Sequence, residues 1–143
     1  MSVAASGYLR IASADVDAWM EFGTSVLGLM DAGREDAAGA RFLRMDDHPF
    51  RFMIEPGEAD KLIAAGLEFP TQDAWQATLD RLEAAGHSVE AGSDEEAKRR
   101  CVTQFATTQD PSGNTLELYW GRELDYTPLV SPVGIQSFVT SFQ

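Results

Sequence analysis

Few residues in this chain are equipped for chemistry. It holds two histidines, His48 and His87, one cysteine, Cys101, and 23 acidic side chains. Two imidazoles and one carboxylate could make a facial iron site with adjacent positions open to substrate and oxygen. His48, however, falls in a turn, and His87 follows a helix-ending glycine. No spacing sets them side by side, and each reads as a structural or solvent-exposed residue. One Cys and two His could supply three zinc ligands, but again without recognisable spacing. Cys101 follows Arg99 and Arg100, whose charges favour thiolate, yet no sequence signal couples it to a histidine. Neither a dinucleotide fingerprint nor a phosphate loop is present, and no nucleophile elbow presents a serine. The spacing of reactive side chains therefore selects no catalytic residue.

Charge narrows the partners. Eleven Lys and Arg against 23 Asp and Glu leave a net charge of −12 over 143 residues. With no basic excess to displace counterions, nucleic acid is excluded as a partner, and anionic membranes are disfavoured on the same ground. The N-terminal residues show neither a signal peptide nor a membrane span, which predicts a cytoplasmic protein. A single cysteine excludes an intramolecular disulfide and fits a reducing compartment. The length suits one domain with a core of its own.

The elements follow from periodicity. Residues 7–12 (GYLRIA) read as a first strand. Asp15 caps a helix whose face is Val16, Trp19, Met20, Val26 and Leu27, with Trp19 assigned to core packing and Gly28 as the stop. Residues 31–39 read as a turn. Strands at 40–45 and 50–55 make a hairpin around Asp46, Asp47, His48 and Pro49. Residues 62–69 are read as a strand that Pro70 ends. The clearest helix is 71–85, with Trp75, Leu79 and Leu82 as its buried stripe. Strands at 87–91, 102–108 and 115–120 follow, the last two joined by a turn at 110–114 where Gly113 suits a positive φ. The charged run Asp94 to Arg100 is assigned to a solvated face with an added helical turn. The order is β-α-β-β-β-α-β-β-β, one element short of two complete β-α-β-β-β units. Either a short strand is missed, or 62–69 opens the second unit and the first lacks a strand. A ferredoxin-like arrangement is the competing topology. The fold class is mixed α+β.

The segments GYLRIASADVDAWMEFGTSVLGL and DPSGNTLELYWG resemble the vicinal oxygen chelate superfamily, which includes glyoxalases and bleomycin resistance proteins. GEADKLIAAGLEF and AKRRCVTQFATTQDPSGN resemble, within it, the N-terminal domain of two-domain extradiol catechol dioxygenases of the dihydroxybiphenyl type. The resemblance runs from about Gly7 to Phe142 and implies two βαβββ modules. It also implies where metal ligands would stand. The histidine that opens the first strand in metal-binding modules is matched by Tyr8, the histidine on the 62–69 strand by Ala64, and the carboxylate by Glu117. Only the last is retained, so these are degenerate metal-ligand positions and the chain is expected to hold no metal or other cofactor.

The resemblance further implies a domain at 1–128 without a complete metal site, followed at 129–143 by a linker and the start of a C-terminal catalytic domain. That domain would carry Fe(II) and open a small aromatic diol beside its paired hydroxyls, as in aromatic hydrocarbon catabolism. The expected partners are that C-terminal domain and further copies of the chain, since the apolar tail residues Val133, Ile135, Phe138, Val139 and Phe142 need a covering surface. A stand-alone small-molecule-binding protein of the glyoxalase/bleomycin resistance type is the alternative. A third reading is a small-molecule enzyme formed by pairing two chains.

Overall fold

Among the described residues, eight strands and three α-helices are divided between two compact units. The structure, a computed structural model, describes residues 3–140. One unit comprises Tyr8–Ile63 with the stretch from Leu124 onward; the other comprises the chain up to Gly7 with Ala64–Glu123. The elements in the first half are β1 (Ala5–Ser13), α1 (Val16–Glu21), a π-helical turn (Phe22–Val26), β2 (Met30–Glu35), β3 (Arg41–Arg44) and β4 (Phe52–Pro56). Those in the second are β5 (Lys61–Phe69), α2 (Gln72–Ala84), β6 (Glu90–Ala91), α3 (Asp94–Arg99), β7 (Gln104–Gln109) and β8 (Thr115–Trp120). Both halves are βαβββ modules, and the second adds α3.

The two modules share one pairing scheme. In the first, β2 pairs antiparallel with β3, β3 antiparallel with β4, and β4 parallel with β1. In the second, β6 pairs antiparallel with β7, β7 antiparallel with β8, and β8 parallel with β5. Each module's first strand thus lies parallel to its last, with the module's helix in the connection.

The missing strand is β2. Residues 31–39 were expected to turn, because the stretch is polar and contains glycine. Pairing with β3 makes it a strand nonetheless, with an irregularity between Asp31 and Glu35, and Arg41 donates to Asp31 at 2.6 Å. Only Asp36–Gly39 turns, closed by Gly39 N–H donating to the Asp36 carbonyl at 3.0 Å. With β2 in place, 62–69 opens the second module, which removes both the missing element and the ferredoxin-like alternative.

The first helix also departs from its expected course. Asp15 caps it, accepting from Ala18 N–H at 3.0 Å. After Glu21 the helix widens into a π turn, in which Leu27 N–H reaches the Phe22 carbonyl at 3.1 Å. Such a turn takes in an extra residue and rotates the following side chains around the axis. Val26, expected on the buried face, is therefore 67% exposed, and Leu27 is exposed as well. Met20 remains in the core with Leu29, Leu43 and Ile54; Trp19 packs beside them but is only half-buried. Gly28 has the expected left-handed backbone, and Val133 and Ile135 of the tail lie against it.

The second module's core is a sheet face covered by α2. Phe69, Trp75, Leu79, Ala106 and Leu118 are its buried members. The Trp75 indole N–H donates to the Leu118 carbonyl at 2.7 Å, which fixes the helix over β8. Thr71 caps α2 through Ala74 N–H, as one of the two expected caps. Strand β6 is shorter than its expected span of 87–91.

The tail is not uniformly open. Phe138 packs on the Met20 cluster of its own unit, whereas Val139 is 90% exposed; Phe142 lies outside the described residues.

At the β7–β8 turn, Gly113 has φ 85°, and a Cβ added there would meet no atom within 4 Å. Any cost of substitution must come from the backbone alone. Gly113→Val should lower the stability to chemical denaturation by about 1–3 kcal/mol; an unchanged midpoint would contradict this.

Candidate functional site

Alternation along the strands sorts the residues at the expected metal-ligand positions. In the second module, Leu67, Phe69, Leu116 and Leu118 face α2. With a side-chain period of two, Ala64, Gly66, Glu68, Glu117 and Tyr119 take the opposite face. The β5–β8 register sets Gly66 beside Glu117, so Ala64 and Glu117 share that face on adjoining strands. In the first module, Ile11, Phe52 and Ile54 pack towards α1, which leaves Tyr8, Arg10, Met53 and Glu55 opposite.

None of these places is available for a ligand set. Tyr8 is buried with its ring 5.2 Å from that of Phe50, which in turn meets Phe42. The Arg34 guanidinium lies 3.8 Å from the Phe42 ring centroid. Ala64 is buried and has no donor atom. Glu117 is 1% exposed, and both its oxygens are engaged: Arg100 Nε donates to Oε1 at 2.6 Å and Arg100 Nη2 to Oε2 at 3.1 Å. A hydrocarbon, a packed phenol and a carboxylate already forked by a guanidinium do not fit a catalytic metal.

The Arg100 side chain is delivered by α3. Ser93 caps that helix, accepting from Glu96 N–H at 3.2 Å; acids fill its first turn, and Lys98 and Arg99 fill its last, as the helix dipole favours. The chain then turns at Cys101, whose φ of 57° is the left-handed conformation common just past a helix end. This turn directs Arg100 inward, where it is 4% exposed. Its Nη1 donates to the Glu96 carbonyl at 2.9 Å and to the Glu96 carboxylate, and the guanidinium lies 4.2 Å from the Phe105 ring centroid. The Arg100 hydrogen bond holds the Glu96 carboxyl below its ordinary pKa, against the upward pull of burial. The expectation of a solvated face at 94–100 is thus corrected at Arg100, and Ala97 is buried as well. A charged helix end looks the same in sequence whether its final side chain points outward or inward.

The other reactive residues stand apart from this pair. Cys101 is buried. His87 is exposed, and His48 is buried beside two acids, with Nδ1 3.2 Å from Asp46 Oδ1 and 3.6 Å from Asp47 Oδ1. Asp46, Asp47 and His48 have ligand-type atoms within 4.8 Å of one another. Asp46 is already committed, accepting from Arg51 Nε at 3.1 Å and from the His48 backbone N–H at 3.1 Å. The adjoining Arg44 is the least exposed arginine, at 2%, and donates to the carbonyls of Asp46 at 3.0 Å and His48 at 3.3 Å. Sequence reasoning did not select it. The group therefore works as a loop clamp. A cavity of about 420 Å³ lies on the helix side of the first module, lined by Trp19, Phe22, Asp15 and Asp60 among others. It includes none of Tyr8, Ala64 and Glu117.

Comparison with solved proteins defines the class first. The fold matches that of a catechol 2,3-dioxygenase (TM-score 0.86, 25% identity, 92% of this chain and 45% of that one). It also matches BphC, a halotolerant catechol dioxygenase (TM-score 0.85, 28% identity, 90% of this chain and 43% of that one). This is the α+β vicinal oxygen chelate fold.

Sequence comparison points the same way. Residues 7–57 match the family model described as dihydroxybiphenyl dioxygenase BphC D1. The chain is 41% identical to an iron-dependent extradiol dioxygenase of Rhodococcus jostii (strain RHA1), aligned over 100% of this chain and 47% of the relative. It is 36% identical to the biphenyl-2,3-diol 1,2-dioxygenase of Paraburkholderia xenovorans (strain LB400), over 100% of this chain and 48% of the relative. The chain spans about half the length of these curated relatives. Over its whole length it is similar to part of these extradiol dioxygenases, in keeping with the resemblance to the N-terminal domain of the two-domain type.

The loop clamp has a pH signature. Burial alone would raise the pKa of Asp46, but hydrogen bonds from His48 and Arg51, together with their charges, outweigh it and hold the carboxyl well below the usual range. A carboxyl depressed in the folded state contributes stability above its unfolded pKa of about 4 and loses it as pH falls further. Asp46→Asn should be less stable than the wild type at pH 7, with the gap narrowing below about pH 4. Urea midpoints across that range check it; a gap that is constant with pH would contradict the assignment.

Proposed function

We propose that this chain serves as the non-catalytic N-terminal domain of an Fe(II)-dependent extradiol ring-cleavage dioxygenase acting on catechol-type aromatic diols. The observation that carries the reading is the committed state of Glu117, the one carboxylate at an expected ligand position, whose oxygens are both held by Arg100. The relatives' names add support, since the proteins that align over the whole chain are extradiol dioxygenases about twice its length.

On this reading Tyr8, Ala64 and Glu117 are metal positions given over to packing. Residues 1–128 form the domain proper, and 129–143 lead into a catalytic half. Iron, bound in that half, would hold the diol oxygens and dioxygen at open coordination positions. What this chain's own residues contribute is a rigid scaffold: two four-stranded modules, each covered by a helix on one face and filled on the other by aromatic rings and Arg–carboxylate pairs. The filled faces weigh against the alternative of a stand-alone binder with a ligand in the sheet's concavity. Among the described residues, no helix is long and apolar enough to cross a membrane. A cytoplasmic location and self-association, with partly exposed tail residues such as Val133 and Val139 at the contact, belong to the same proposal.

The test compares the polypeptide encoded by the gene's complete reading frame with the 143-residue chain. After anaerobic loading with Fe(II), the longer polypeptide is expected to convert 2,3-dihydroxybiphenyl to its yellow ring-opened product, and the chain alone to give none. Turnover by the carefully purified chain, or a reading frame that encodes no further domain, would overturn the proposal.

A further inference from the structure

The faces opposite α1 and α2 carry a repeated device. In the first module, Arg10 on β1 forks onto Glu55 on β4, with Nε–Oε2 and Nη2–Oε1 both at 2.9 Å. In the second, Arg100 forks onto Glu117 on β8. The origins differ. Arg10 and Glu55 sit on paired strands of one sheet, whereas Arg100 comes from the end of α3, an element the first module lacks.

Several contacts serve to hold that helix end in place. Cys101 takes its left-handed turn, and its carbonyl accepts from Glu123 N–H at 2.9 Å. Val102 N–H donates to the Ala97 carbonyl at 3.1 Å, closing the helix. Thr103 N–H donates to the carbonyls of Trp120 and Gly121 at 3.2 and 3.1 Å, which ties the segment to the end of β8. The guanidinium is thereby set over Phe105 and against Glu117.

We propose that Arg100 is the built-in cation of the second module. It satisfies Glu117 in the way a bound cation would, and closes that carboxylate to metal ions. The identification of Glu117 as a retained metal position rests on the reading given under Proposed function; the role of Arg100 as its cation rests on the geometry alone. A buried carboxylate needs a positive charge and donors for its oxygens. A guanidinium supplies both in one plane, and its fork occupies the two oxygens that a metal would share. The Phe105 ring covers one side of the cation and Glu96 takes its remaining edge, so the charge is matched on every side the structure shows. A metal ion could reach Glu117 only by expelling Arg100 from this nest. Removing the side chain beyond Cβ should leave an opening of guanidinium size beside a negative charge.

The test uses the full chain and its Arg100→Ala, Glu117→Gln and doubly substituted forms, followed by thermal melting and metal titration. Arg100→Ala should melt lower by on the order of 10 °C, because a buried carboxylate loses its partner. Millimolar guanidinium chloride, far below denaturing levels, should recover part of that loss relative to equal sodium chloride, and should do so only while Glu117 is present. Guanidinium rescue that is absent, or equal in the double variant, would overturn the proposal, as would wild-type uptake of Mn(II) or Zn(II) that Glu117→Gln abolishes.

If Arg100→Ala does not fold, the pair Arg100→Met with Glu117→Leu, which has neither charge, should fold and melt above Arg100→Met alone. A pair no more stable than the single change would also overturn the proposal. Titrating Mn(II) into Arg100→Ala separates the two readings. Uptake that depends on Glu117 supports both, whereas guanidinium rescue without uptake supports the built-in cation and removes the metal-position reading alone.

Discussion

A carboxylate at 1% exposure constrains everything around it. Glu117 sits in the middle of β8, on the face that α2 does not cover, where burial leaves its charge almost without contact with solvent. Its ionised form persists only with a cation and hydrogen-bond donors in reach. That requirement accounts for features which otherwise look unrelated: the extra helix α3, its serine cap, the left-handed turn at Cys101 and the aromatic ring of Phe105 beneath the guanidinium. Each one places the Arg100 fork within hydrogen-bond distance of both Glu117 oxygens.

The same economy of charge operates in the other unit, with different parts. Arg44, Arg51, Asp46 and His48 clamp the loop between β3 and β4, and Arg44 also reaches the Asp125 carbonyl at 3.4 Å and pairs with its carboxylate. Two buried guanidiniums thus organise two irregular segments, one between α3 and β7 and one at the tail's attachment. In a chain with 23 acids and 11 basic residues, a disproportionate share of structural work falls on its few arginines. Exposed surface acids, by contrast, gain little from pairing.

These interactions also define what the domain is suited to do. Its sheet faces are occupied by the molecule's own side chains, so rigidity is gained where related modules would need openness. The βαβββ pairing depends on strand register and helix cover and not on ligands at the centre of the sheet, so the fold by itself specifies no site chemistry.

Local sequence determined the elements whose signals are local. The α2 stripe of Trp75, Leu79 and Leu82, the β7–β8 hairpin with Gly113 at its turn, the Asp15 cap and the Pro70 stop were all legible, because cap, turn and amphipathic periodicity act over a few residues. The tertiary structure alone decided β2, whose polar residues form a strand only because β3 offers a partner, and it decided where α1 widens and turns Val26 outward. It also decided the site. Resemblance pointed to Tyr8, Ala64 and Glu117, but no spacing could show that Arg100, 17 residues before Glu117, closes on it. That contact depends on the path of α3 and on the twist of a sheet, and such long-range geometry has no counterpart in the run of the sequence.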